Sequence, residues 1–296
     1  MKKHILLFFI ISILGMTAWA NSHISTQSHR DQINDIIIST SKNDFDSYFY
    51  SVGNDGFVIK WSSNGQGEHY QITEVPIKKI ASSPANNYIA VYESDGGVIN
   101  KISVWDWKTL KKKYQMQFND SITSLQFSAK GTYLIVGTAS VDGVKFYNAA
   151  TGDEINKIKD NTGIVTCITT SDSEKTAVLY SPSGYVSYYN TQKGELKRKL
   201  QVERNLSQPI IYNNSLYLAG IKDGKIYIIN LNTGSTIASI DAVYPVILST
   251  KADKDLFYME YTGKDIYEIK VIEAQTSSNV SSPNVLKKVS GPKKIL

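Results

Sequence analysis

Four acids stand directly before a glycine in polar loops: Asp55, Asp95, Asp142 and Asp223. A fold that gathered their carboxylates at one mouth would make an oxygen-rich cation site. Asp in that context also bonds nearby backbone N–H groups and shapes the turn itself, and this turn role is the expectation. Cys167 is the single cysteine, so no internal disulfide forms, and in an apolar run it reads as a small buried hydrophobe. Four scattered histidines do not make a zinc framework. No Gly-x-Ser-x-Gly, His-Glu-x-x-His, phosphate loop or paired-Cys motif occurs. No catalytic residue, metal site or cofactor is therefore expected.

The elements that carry these residues repeat. Short β-rich runs centre on Phe49, Ile89, Leu134, Ala177, Tyr217 and Phe257, at intervals of 40, 45, 43, 40 and 40. Each is followed by a turn such as Asn54-Asp55-Gly56, Pro182-Ser183-Gly184 or Lys222-Asp223-Gly224, and Asp-Gly between alternating apolar residues is a strong hairpin signal. Next comes a large side chain followed by a polar one: Trp61-Ser62, Trp105-Asp106, Tyr147-Asn148, Tyr189-Asn190, Ile229-Asn230 and Tyr267-Glu268. A second turn recurs as Asn64-Gly65, Thr151-Gly152, Lys193-Gly194 and Thr233-Gly234. Each unit thus predicts four short strands, from an inner one such as Ile164-Val165-Thr166-Cys167 to a polar outer one such as Glu195 to Leu200. Trp107 and Lys111-Lys112-Lys113 read as part of a solvated outer strand.

One small four-stranded sheet has two apolar faces and is unstable alone; stacking such sheets radially buries both, which is an all-β, single β-propeller. Ile33 to Val271 divides into six units of about 40 residues, close to the usual repeat, with seven blades as the alternative. The last unit lacks an evident fourth strand, and His23-Ile24-Ser25-Thr26-Gln27 is expected to supply it. Over this span the chain resembles the WD-repeat propellers, most closely at Trp105-Asp106, and the Asn148-to-Gly152 and Asn230-to-Gly234 turns resemble those of quinoprotein-type repeats. The Gly-His that opens many such repeats is missing, with only His29 able to stand in. The resemblance therefore implies a buried His-Ser/Thr-Asp-Trp network that is incomplete here. Trp61, Trp105, Asp106, Tyr147 and Tyr189 are assigned structural roles.

The chain has 296 residues, of which 42% are hydrophobic and 20% charged, enough apolar material for a large core. Its net charge of +5 sits at the ends. Removing Lys2, Lys3, Lys287, Lys288, Lys293 and Lys294 leaves −1 for the body, which argues against nucleic-acid binding. Residues 1–20 read as a signal peptide: a basic start, the apolar run Ile5 to Leu14, and Ala18-Trp19-Ala20 for cleavage after Ala20. Residues 21–275 form the propeller, and 276–296 a disordered basic tail. The product is expected to be periplasmic or secreted and monomeric, with no transmembrane span after cleavage.

Two functions follow from this reading. The first is a non-catalytic scaffold binding protein partners of the bacterial cell envelope. Its surface would be the rim where second-to-third-strand turns meet the connections into each inner strand. That rim carries Asp55, Asp95, Asp142, Tyr185 and Asp223 with Asn119, Asn161 and Tyr244, a polar face with aromatic anchors. The second is an exported propeller enzyme or small-ligand binder of lactonase, lyase or quinone-dependent type, with its site in the central channel.

Overall fold

The computed structural model describes residues 29–38, 49–62, 66–140, 143–158, 160, 163–242, 246–251, 255–263, 266–272 and 284–290. Among them there are 24 strands and no helix. Blade 1 is β1 (Ile33–Ile38), β2 (Phe49–Gly53), β3 (Phe57–Trp61) and β4 (Gly67–Gln71). Blade 2 is β5 (Ile77–Ser82), β6 (Tyr88–Ser94), β7 (Asn100–Asp106) and β8 (Lys111–Gln117). Blade 3 is β9 (Ile122–Phe127), β10 (Tyr133–Thr138), β11 (Val144–Asn148) and β12 (Glu154–Lys157). Blade 4 is β13 (Cys167–Thr170), β14 (Thr176–Ser181), β15 (Tyr185–Asn190) and β16 (Leu196–Gln201). Blade 5 is β17 (Ser207–Tyr212), β18 (Tyr217–Lys222), β19 (Lys225–Asn230) and β20 (Thr236–Asp241). Blade 6 is β21 (Val246–Lys251), β22 (Asp255–Gly263), β23 (Ile266–Ile272) and β24 (Asn284–Ser290). Each sheet runs in chain order with antiparallel neighbours.

The six innermost strands meet in sequence, and β1 touches both β5 and β21, so the ring closes. Period-2 alternation sends successive side chains of one strand to opposite neighbours. In β2, Phe49 packs toward blade 6 while Tyr50 and Val52 pack toward blade 2. The result is one apolar cluster at each of the six blade junctions. Trp61 lies at the blade 6–blade 1 seam with Met259 and Phe257. Trp105 lies between blades 1 and 2, Tyr147 between 2 and 3, and Tyr189 between 3 and 4. The core is therefore distributed around the ring as six walls.

The polar half of each aromatic–polar pair makes a turn. The side-chain oxygen of Asp106 accepts the N–H groups of Lys108 and Thr109. Asn148, Asn190 and Asn230 do the same for residues two positions on. This local bonding turns the chain from third strand to fourth. The turn also exposes a carbonyl to the preceding blade's outer strand. Tyr114 donates to Ala149, Asn156 to Thr191, and Arg198 to Leu231. The repeated polar residue thus links neighbouring blades at their outer edges.

Four expectations need correction. First, Asn284–Ser290 is the fourth strand of blade 6, paired antiparallel with β23. The tail assigned to 276–296 therefore contributes an edge strand, and that place is not taken by 23–27, which lies outside the described residues. Val285, Leu286 and Val289 are interspersed with polar residues there, and pairing with β23 gives the segment its strand state. Second, β13 begins at Cys167, and Ile164 precedes it at 49% exposure. Third, Trp107 is partly buried, edge-on to Tyr50 at 5.6 Å and Tyr70 at 5.0 Å. It closes the blade 1–blade 2 junction, while Lys111, Lys112 and Lys113 are exposed as expected.

Fourth, the four-residue network expected to be incomplete closes in blade 1. Trp61 Nε1 donates to Ser51 Oγ at 2.8 Å, and His29 Nε2 lies 2.7 Å from the same oxygen. His29 Nδ1 is 3.0 Å from Asp55, which also accepts the N–H groups of Arg30 and Phe57. The Ser51 hydroxyl thus lies between the Trp61 indole and His29 Nε2, while Nδ1 faces the Asp55 carboxylate. Blade 2 replaces this network with Trp105 Nε1 donating to Ser103, Ser103 donating to Glu93, and Glu93 pairing with Lys101 at 2.7 Å.

Candidate functional site

The rim carrying the second-to-third-strand turns has spent some of its acids internally. The Asp55 carboxylate is buried against His29. Asp95 accepts the amides of Gly97 and Ile99, which rigidifies its own loop. Asp223 and Asn119 are exposed. Tyr185 is half-buried, with the Lys199 ammonium 4.1 Å from its ring centre. Asp142, Asn161 and Tyr244 lie outside the described residues. The described acids are not gathered: no three His, Cys, Asp or Glu side chains converge among the described residues.

Apolar side chains that the spacing did not single out stand on the same rim. Val98 is 87% exposed at the tip of the β6–β7 loop. Asp95, itself exposed, holds that loop through the Gly97 and Ile99 amides, while Ser94 Oγ accepts Gly96 N–H and also donates to Asn100 Oδ1. Tyr92 completes the base by donating to Asn100 at 2.7 Å. Ile164, on the connection into blade 4, is the second such residue. The opposite rim is more occupied with itself. There Glu174 accepts from Ser128 Oγ and from Lys130 N–H, tying blade 4 to blade 3.

Inside the ring the inner strands line a cavity of about 1180 Å³. Four of them carry a β-bulge at the end nearest the first rim, which re-aims a side chain. In blades 1, 3 and 5 the freed polar residue bridges to the next blade. Asn34 donates to Ile77 O at 2.7 Å, Thr123 to Val165 O at 2.6 Å, and Gln208 to Val246 O at 2.8 Å. In blade 2 the bulged residue is Lys78, which reaches back to Asn54 Oδ1 at 2.8 Å. No local signal in the sequence marks these positions, because a bulge is set by pairing between distant strands.

Ser51, His29 and Asp55 have the types and connectivity of a nucleophile–base–acid triad. Burial excludes that use. Ser51 is 0% exposed, and its oxygen already receives the Trp61 N–H. The chemistry of this cluster appears instead in stability. Burial would raise the Asp55 carboxyl, but hydrogen bonding and charge from His29 hold it below the usual carboxylate range. Burial would likewise raise Glu174, and its bonds from Ser128 and Thr132 outweigh that. His69, edge-on to Phe57, is lowered by burial and by repulsion from His29.

The signs follow from these directions. His69 is lower in the fold, so its contribution is present above its ordinary 6.5 and is lost as pH falls through the folded value. Asp55 and Glu174 contribute above their ordinary 3.8 and 4.5, and that contribution is lost on further acidification. Asp35 opposes them: burial raises it to about 6, so the fold gains stability as pH falls from there toward 3.8. The melting-temperature difference between wild type and His69→Gln should therefore shrink as pH falls below 6.5. Calorimetry giving a constant difference would refute the placement of His69.

No helix among the described residues is long and apolar enough to cross a membrane. The family described as "N-terminal beta-propeller domain" matches residues 21–290, from Asn21 to the end of β24. An uncharacterized protein of Treponema pallidum (strain Nichols) is 31% identical over 198 residues, which is 67% of this chain. The match spans 32% of that relative's length.

Proposed function

The chain belongs to the N-terminal β-propeller domain family, and from that premise we infer an exported, non-catalytic scaffold that binds protein partners in the bacterial periplasm or envelope. The observation that carries this reading is the β6–β7 loop, which presents Val98 at 87% exposure on a base fixed by Asp95 and Asn100. A loop ordered before binding loses less entropy on association, and an exposed aliphatic tip among polar groups suits a protein pocket. Asn119 and Asp223 remain contact residues, Val98 and Ile164 join them, and Asp55 and Tyr185 leave the set. Blade 1, with its complete His29–Ser51–Asp55–Trp61 network, reads as a WD-type unit.

Export rests on residues 1–20, which lie outside the described residues. The family match begins at residue 21, immediately after the expected cleavage point, and this supports the reading. N-terminal sequencing of the protein from the envelope fraction should begin at Asn21. A mature chain beginning at Met1 or Lys2 would overturn it.

A further inference from the structure

We propose that the protein held on the first rim presents a basic face, with lysines and arginines around the pocket that receives Val98; this rests on the scaffold function inferred above. The aliphatic contacts of the rim stand among carboxylates. Val98 shares its loop with Asp95, and the connections on either side of that blade carry Glu74 and Asp120. Ile164 shares its connection with Asp160, and Asp223 tips the β18–β19 turn of blade 5. These acids are all exposed, and none forms a salt bridge among the described residues.

Cations at the same end do not neutralise them. Lys101, Lys222 and Lys225 are already paired with Glu93, Glu203 and Asp241. Lys145 reaches Glu154 at 3.1 Å. Lys78 and Lys79 line the channel, within electrostatic reach of Asp31 and Asp35. Arg30 and Arg204 remain exposed, and the Arg30 guanidinium sits 5.6 Å from the Phe57 ring centre. The described part of the first rim is therefore negative in sum. On the opposite rim Lys108, Lys130, Lys175 and Lys193 are exposed in the turns. They offset Asp153, Asp172 and Glu195, so no acidic excess forms there. Charge at the edge of an interface sets the encounter rate and turns away like-charged partners more than it sets affinity. A negative rim around aliphatic tips fits a basic protein surface, and it repels the phosphates of a nucleic acid or an anionic bilayer.

Photo-crosslinking of the full chain in envelope extract tests the charge of the partner, with the photoreactive residue at Asn119 so that Val98 and the carboxylates stay in place. Capture should fall about tenfold between ~50 mM and ~500 mM sodium chloride, as screening shortens the reach of surface charge. Glu74→Gln combined with Asp120→Asn should capture about tenfold less than wild type at the lower salt, with little further loss at the higher. Asp172→Asn, on the opposite rim, should capture as wild type does. Circular dichroism checks that the variants keep the fold. Mass spectrometry of the crosslinked peptide should place it in a Lys- and Arg-rich surface of the captured protein. Capture that resists salt, a contact peptide without an excess of Lys and Arg, or a second copy of this chain as the product would overturn the basic partner while leaving the scaffold function in place. No capture at any salt would overturn the rim as a binding face and this inference with it.

Discussion

Replacing Trp61 by alanine is expected to destabilise the fold by about 4 kcal/mol, the usual cost of emptying a fully buried aromatic site. Trp61 is 0% exposed, stacks on Phe49 at 6.1 Å, and stands at the seam where the last blade meets the first. Its removal opens a cavity there and takes from Ser51 the donor that orders His29 and Asp55. Trp61→Phe keeps most of the volume and loses the N–H, so it should cost about 1–2 kcal/mol. Trp105, at 8% exposure, should fall at or below the Trp61 value. Urea denaturation measures all three. A loss under about 1 kcal/mol for Trp61→Ala would be far below any buried aromatic truncation and would contradict the seam.

Deleting residues 284–290 should lower the melting temperature by clearly more than a few degrees and promote self-association. β24 pairs along β23 from Ile266 to Val271. Without it, the backbone N–H and C=O groups of β23 become an open edge, a template for another chain. Blade 6 also closes the ring against β1, so its loosening reaches the Trp61 seam. Calorimetry with light scattering is the measurement. A truncated protein that melts like the full chain and stays monodisperse would show that β24 is dispensable.

The ring was legible because its period is written in turn chemistry. Trp105-Asp106, Tyr147-Asn148 and Tyr189-Asn190 recur since each aromatic fills a blade junction and each polar partner starts the next turn. Local bonding of that kind leaves its mark in adjacent residues. The last strand was not legible, because the short apolar content of Asn284–Ser290 (Val285, Leu286 and Val289) is set among Ser, Asn, Pro and Lys and its strand state comes from pairing with β23. The fate of Asp55 was equally hidden. Nothing within its own turn announces that His29, 26 positions earlier, takes up its carboxylate. The bulge at Lys78 was hidden for the same reason, since it exists only against β6. Of the surface residues expected from spacing, Asp223 and Asn119 are exposed, whereas Asp55 and Tyr185 are engaged internally.

The central claim is that the protein works by holding a partner on its first rim. Photo-crosslinking in intact cells tests it, with a photoreactive residue placed in turn at Val98, Asn119, Asp223 and, on the opposite rim, Lys193. The account predicts that the first three positions capture one and the same protein, that Val98→Asp in the same chain abolishes the capture, and that Lys193 captures nothing. Capture from Lys193 alone, or no common product from the first three, would contradict it.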